Sequence, residues 1–397
     1  MNAHDAAGIG LVTTEHTTVC QEGLPLDCGR RLGPITVAWE QYGTPNRDRS
    51  NIILVCHALS GGAHAAGWHE GAARPGWWDV MIGPGRAFDT RRYCVISSSV
   101  LGSCYGTTGP SSVNPETARP FGPDFPMVTI WDMVRVQHRL LERIGVRSLA
   151  AVAGGSMGGM QALAWARLYP DWVQRVITLA ATDRHSPQQI AFNEVARRAV
   201  MADPAWQGGR YEPGAGPEAG LSVARMVGHI TYLSDVGMER KFGRRARNGL
   251  AYSLGRPEFE VEHYLEHQGA SFVQRFDANS LLYVTKAIDY FDLSEGHGSL
   301  EEALAGSRAR YLLLAFSSDW LYPPYQLERV AAALEATGRP VEYRCLPSDY
   351  GHDAFLLEHA QQEPLVRRFL AGTTCPVGAP VPADRAASLQ PATTAQR

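Results

Sequence analysis

"AVAGGSMGGMQALAWARLYP", residues 151–170, sets an apolar run against four glycines gathered around one serine. Glycine is costly inside regular structure, so such a cluster marks a backbone geometry or a close approach that a side chain would forbid. Gly154-Gly155-Ser156-Met157-Gly158 satisfies G-x-S-x-G, with an apolar strand pattern before it and a small-residue helix pattern after it. That context predicts a strained strand-to-helix turn that presents Ser156 as a nucleophile. The amide of Met157, at the start of the following helix, is placed to donate to an oxyanion, helped by the positive helix end. The alternative, a glycine-rich turn with an incidental serine, is disfavoured by the strand and helix on either side.

Outward from that turn the chain repeats a scheme. Short apolar runs at 51–59, 91–100, 148–155, 175–182 and 310–319, with "VEYRCLP" at 341–347, read as buried strands. Near-continuous hydrophobicity over five to eight residues suits a parallel sheet covered on both faces. Amphipathic stretches lie between them. In 128–145, Trp131, Val134, His138 and Leu141 share a face and Gly145 supplies a C-cap; 325–338 also ends in glycine. Strands alternating with helices predict a doubly wound α/β sheet. Residues 186–306 break the rhythm with helical patterns and predict an all-helical insertion over the carboxyl edge of the sheet, where ligands bind in such folds. The core is then 1–185 and 307–372, and the Pro-, Ala- and Thr-rich stretch 373–397 is expected to be disordered.

A serine hydroxyl needs a base, and the base an orienting carboxylate. In this architecture they follow in the order Ser, Asp or Glu, His, each at a strand's end. Asp319 closes "RYLLLAFSSD", and His352 follows "VEYRCLP" with Gly351 beside it. The predicted triad is Ser156–His352–Asp319. A second oxyanion donor is expected from the glycine-containing loop after "NIILV", with the Leu59 amide as candidate. His57, His64 and His69 in that loop match neither HExxH nor a zinc-finger spacing, so no metal is assigned to them. No Walker or dinucleotide fingerprint is present, and no permanently bound cofactor is expected.

Bulk properties narrow the class. The 397 residues are 45% hydrophobic and 19% charged with net charge -3, which gives no basis for a nucleic-acid or anionic-membrane partner. Seven cysteines without CxxC spacing read as free thiols in a reducing compartment. No signal-peptide pattern opens the chain, and no apolar run approaches the roughly 20 residues that span a bilayer. A cytoplasmic location is expected.

Together, "GGSMGGMQALAWA", "HALSGGAH", "GPSSVNPET", "IAFNEVARRA", "RMVGHITYLSD", "SSDWLYPP" and "GHDAF" closely resemble the homoserine O-acetyltransferases, α/β-hydrolase-fold enzymes that open the methionine pathway. The similarity runs in order from about residue 15 to about residue 370, insertion included. It implies a mostly parallel sheet flanked by helices, with a helical lid. It also implies a ping-pong reaction, in which the serine takes an acetyl group from acetyl-CoA and homoserine's hydroxyl accepts it. Acetyl-CoA is then a co-substrate, and homodimers form through the insertion. The family's nucleophile, acid and base fall on Ser156, Asp319 and His352, its homoserine-binding arginine on Arg225, and further substrate contacts on Asp353 and Tyr232.

Homoserine is a zwitterion, so its site wants one cation and one anion, which Arg225 and Asp353 supply. Read without the resemblance, Arg225 is a surface arginine on an amphipathic helix, and Asp353 a cap for the helix after it. In relatives that use succinyl-CoA an arginine stands two residues after the acid; Leu321 stands here and matches an acetyl methyl. Succinyl transfer, serine as acceptor, plain ester hydrolysis and a catalytically dead scaffold are the rival readings. "KFGRRARNG" contains Lys241, Arg244, Arg245 and Arg247, which suit the phosphates of CoA, but a solvated basic face is the better reading of it.

Overall fold

The computed structural model describes residues 8–212 and 214–372; the expectation for 373–397 lies outside the described residues. Eight strands form one sheet: β1 (Glu15–Val19), β2 (Ile35–Tyr42), β3 (Ile52–Cys56), β4 (Cys94–Ser98), β5 (Ala151–Gly155), β6 (Arg175–Leu179), β7 (Arg310–Phe316) and β8 (Val341–Leu346). Their order across the sheet is β1-β2-β4-β3-β5-β6-β7-β8. β2 runs antiparallel to both β1 and β4, and every other pairing is parallel. All five residues of β3, β4 and β5 are buried, as continuous apolar runs require in a sheet covered on both sides.

Alternate strand residues feed two cores. Leu54, Val152 and Leu313 pack with α1 (Ile130–Arg143), α2 (Met157–Leu168) and α9 (Pro324–Ala336), whereas Val55, Ala153 and Leu314 pack with α11 (His359–Leu370). The sequence reading passed over β1 and β2. They sit at the antiparallel margin, where three of the five residues of β1 are exposed and polar residues break the apolar run of β2.

Between β6 and β7 lie α3 (Pro187–Ala202), α4 (Glu218–Tyr232), α5 (Asp235–Phe242), α6 (Glu260–Val273) and α7 (Ala278–Asp289). Ser186 and Gln189 form a reciprocal capping box at the start of α3, with Pro187 in its first turn. Val200, Leu221, Phe272 and Leu281 give these helices a small core of their own. The chain closes on itself at the neck, where the Leu293 amide donates to the Asp183 carbonyl at 2.8 Å. Leu293, together with Leu300 and Leu304 in and beside α8 (Leu300–Leu304), is buried in the core shared with α2 and α9.

Candidate active site

Ser156 joins β5 to α2 with φ 57 and ψ -126, a conformation that L side chains rarely adopt and that packing must hold. Its amide donates to the Leu179 carbonyl of β6 at 2.9 Å, and its carbonyl accepts from the Gly159 amide at 2.9 Å. A Cβ on Gly158 would fall 2.1 Å from the Cys56 carbonyl oxygen, and one on Gly155 would fall 2.3 Å from the Phe355 ring. The glycines thus let the end of β3 and the segment after β8 close around the serine. That is why one hydroxyl is set among so many of them.

His352 Nε2 lies 2.9 Å from Ser156 Oγ, and His352 Nδ1 lies 2.8 Å from Asp319 Oδ2. The other carboxylate oxygen, Oδ1, accepts from the amides of Leu321 and Tyr322 at 3.1 and 2.8 Å, which locks the carboxylate plane. Gly351, with φ 64, brings the histidine in under the junction of α4 and α5; a Cβ there would meet the Ser234 amide at 2.6 Å. All three side chains are buried, with Ser156 at 8% exposure the most open. With Nδ1–H donated to the carboxylate, Nε2 is left to accept the serine proton.

The amides of Leu59 and Met157 bond to no acceptor among the described residues. His57 fixes the loop that carries Leu59. Burial lowers its imidazole to about 4, so it is neutral, donating from Nδ1 to the Ala58 carbonyl at 2.7 Å and accepting from the Val100 amide at Nε2 at 3.0 Å. His64 and His69 meet at Glu40, a residue not singled out from the sequence. Glu40 also accepts from Thr14 and Tyr42, each at 2.7 Å, while His64 and His69 stand at 3.0 and 2.8 Å. Burial alone would raise this carboxyl, but the four hydrogen bonds hold it at about 2. The cluster is a buried carboxylate saturated with donors, tying the loop after β3 to β2.

Beside Ser156 a cavity of about 70 Å³ is walled by Leu59, Arg225, Tyr232, Leu321 and Tyr322, with both apolar and polar residues from α3 and α7, Phe192 and Ile288 beside Gln189 and Asn193. Arg225 lies over the rings of Phe272 and Tyr232, at 4.7 and 5.6 Å, and makes no ion pair among the described residues. Asp353 follows His352 directly; burial pushes its carboxyl up against the pull of His352, Arg225 and Lys241. Tyr232 brings its ring to 6.1 Å from that of His352. His229, on the same helix face by sequence, turns instead to the Tyr264 hydroxyl at 2.8 Å. Of the basic segment, Arg247 pairs with Glu260 at 2.9 Å, and Lys241 and Arg244 lie over aromatic rings at the surface.

Tyr322, His185 and Asp289, which no sequence motif marks, also meet at the site. The Tyr322 ring stacks on His352 at 4.7 Å, and its hydroxyl sits 2.7 Å from His185 Nε2. His185 Nδ1 is 3.0 Å from Asp289. Nothing local marks these residues, because 137 positions separate the first pair and 104 the second.

The α/β hydrolase fold model matches residues 51–359. The chain is 53% identical over 367 residues to the homoserine O-acetyltransferase of Methanohalobium evestigatum, spanning 92% of this chain and 74% of that protein. It superposes on the crystal structure of homoserine O-acetyltransferase from Bacillus anthracis with TM-score 0.85 and 32% identity, covering 91% of this chain and 98% of that one. Esterase E22 is similar at TM-score 0.83 and 33% identity, with 90% of this chain and all of that chain covered (100%). A fold shared with an esterase leaves chemistry to the site, but half of all positions shared along nearly the whole length is a relationship of family. The chain belongs to the homoserine O-acetyltransferase family, on the α/β-hydrolase fold.

Proposed function

We propose that the enzyme transfers acetyl from acetyl-CoA to the hydroxyl of L-homoserine through an acetyl-Ser156 intermediate, as a cytoplasmic step of methionine biosynthesis. His352 takes the Ser156 proton as Oγ attacks the thioester carbonyl, and Asp319 stabilises the imidazolium. The amides of Leu59 and Met157 receive the developing oxyanion. CoA leaves as the thiol with the proton from His352. The homoserine hydroxyl then gives its proton to His352 and attacks the acetyl carbonyl, and Ser156 is restored.

The observation that carries this reading is Arg225: a guanidinium that lines the cavity beside Ser156 without an ion pair among the described residues, with the Asp353 carboxyl, next to His352, within its electrostatic reach. A carboxylate and an ammonium on one small molecule answer that pair. Simple ester hydrolysis needs neither group. Leu321 favours an acetyl methyl over a succinyl carboxylate, for which its side chain offers no partner. Exposed Val223 and Ile230 on α4 are apolar surface that a second copy would cover, which supports a homodimer through the helical cover.

Steady-state rates with acetyl-CoA and succinyl-CoA against homoserine and serine test the reading. It expects the highest kcat/KM for acetyl-CoA with homoserine. Faster succinyl transfer, or ester hydrolysis with no transfer to homoserine, overturns it.

A further inference from the structure

Asp289 is buried among three donors: His185 Nδ1 at 3.0 Å, and Asn193 Nδ2 and Arg197 at 2.7 Å each. His185 therefore carries its hydrogen on Nδ1. Burial holds its imidazole below the ordinary value, so it is neutral and Nε2 is bare. At 2.7 Å from that nitrogen, the Tyr322 hydroxyl must be the donor. The phenol oxygen then turns only lone pairs toward the cavity that Tyr322 and Ser156 line together. The polarity of the Tyr322–His185–Asp289 chain is fixed from its buried end, and its free end is an acceptor beside the nucleophile.

We propose that Tyr322 Oη and His352 Nε2 together cradle a water molecule at acyl-Ser156, giving the enzyme an acyl-ester hydrolase activity beside transfer, with Tyr322 as its positioning residue. The inference rests on the acyl-Ser156 of the proposed function. Water has two O–H groups and satisfies both acceptors. Its oxygen attacks the acyl carbonyl carbon while His352 takes one proton. The carbonyl carbon–Oγ bond breaks, His352 returns the proton to Ser156, and the carboxylic acid leaves. Tyr322 transfers no proton; it aims the second O–H. The homoserine hydroxyl has one O–H, already given to His352, and with its ammonium held by Asp353 it leaves Tyr322 nothing to accept. The phenol oxygen thus favours water over an amino-acid hydroxyl at the same intermediate.

The test measures partition of the acyl-enzyme. Purified enzyme is mixed with acetyl-CoA at fixed homoserine, and released acetate is compared with acetylated homoserine. Tyr322→Phe keeps the ring stacked on His352 and removes only the oxygen. The acetate-to-transfer ratio is expected to fall about threefold or more, the effect of one net hydrogen bond. Loss of packing alone would slow both branches and leave the ratio unchanged. His185→Leu keeps the phenol but frees its proton to turn, and the ratio is expected to fall in the same direction; it carries the test should Tyr322→Phe melt below the assay temperature. A ratio that stays constant or rises in the folded variants overturns the role of Tyr322 alone. Absence of a CoA burst in the unmodified enzyme overturns the acyl-enzyme itself, and this inference with it.

Discussion

His352 Nε2 stands 2.9 Å from Ser156 Oγ although 196 positions of chain separate the two residues. Ser156→Ala is expected to abolish both the CoA burst and acetyl transfer. Asp319→Asn, which leaves the shape and disturbs the tautomer of His352, is expected to lower kcat by about 10³–10⁴. Stopped-flow release of CoA measures both, and a persisting burst in Ser156→Ala would remove Ser156 from the chemistry.

Arg225 is expected to govern the acceptor and not the donor. Arg225→Ala should raise KM for homoserine by about thirtyfold, in line with the loss of a charge-assisted bidentate contact, and Arg225→Lys should fall between. The CoA burst should persist in both. KM values within twofold of the unmodified enzyme would place the homoserine carboxylate elsewhere.

Leu321 forms the wall that the acyl group meets. Leu321→Arg is expected to raise the succinyl-CoA to acetyl-CoA ratio of kcat/KM about tenfold, by pairing the distal carboxylate. Competition between the two thioesters, read by mass spectrometry of the products, would show no change if the acyl chain lies against another residue.

Glu40 makes stability depend on pH. Its folded carboxyl lies at about 2, below the ordinary value of 4.5, so the stabilisation is fully present above pH 4.5 and is lost as pH falls toward 2. At about 1.4 kcal/mol per unit, Glu40→Gln should cost roughly 3 kcal/mol at pH 7, and the difference should shrink steadily below pH 4.5. Urea midpoints across that range check the slope. A penalty independent of pH would mean that the carboxylate's charge contributes nothing.

What the sequence made legible follows the physics of burial. β3 to β7 were readable because both faces are covered and the apolar run is unbroken. Ser156 and Asp319 were readable because each stands at the end of such a strand, and His352 because it follows β8, the strand pattern that comes after Asp319. β1 was not, since three of its five residues are exposed, and β2 was not, since Thr36, Glu40 and Gln41 interrupt its apolar run although most of it is buried. Glu40 was hidden inside β2, where only its four donors, spread from Thr14 to His69, reveal its state. Tyr322, His185 and Asp289 were unreadable for the same reason: their meaning is a direction of hydrogen bonding, and direction exists only once distant segments meet.

The neck at Asp183 and Leu293 has an evolutionary corollary. The groups assigned to acyl chemistry lie on the sheet's own connections, while Arg225 and Tyr232 lie between the two sides of that neck. One continuous stretch of gene can therefore diverge, be exchanged or be shortened to change which nucleophile is welcomed, while the acylating apparatus is inherited intact. A lineage can thereby retune how the acceptor's carboxylate is gripped within the inserted cassette, while Leu321, Tyr322 and Asp353 stay with the sheet.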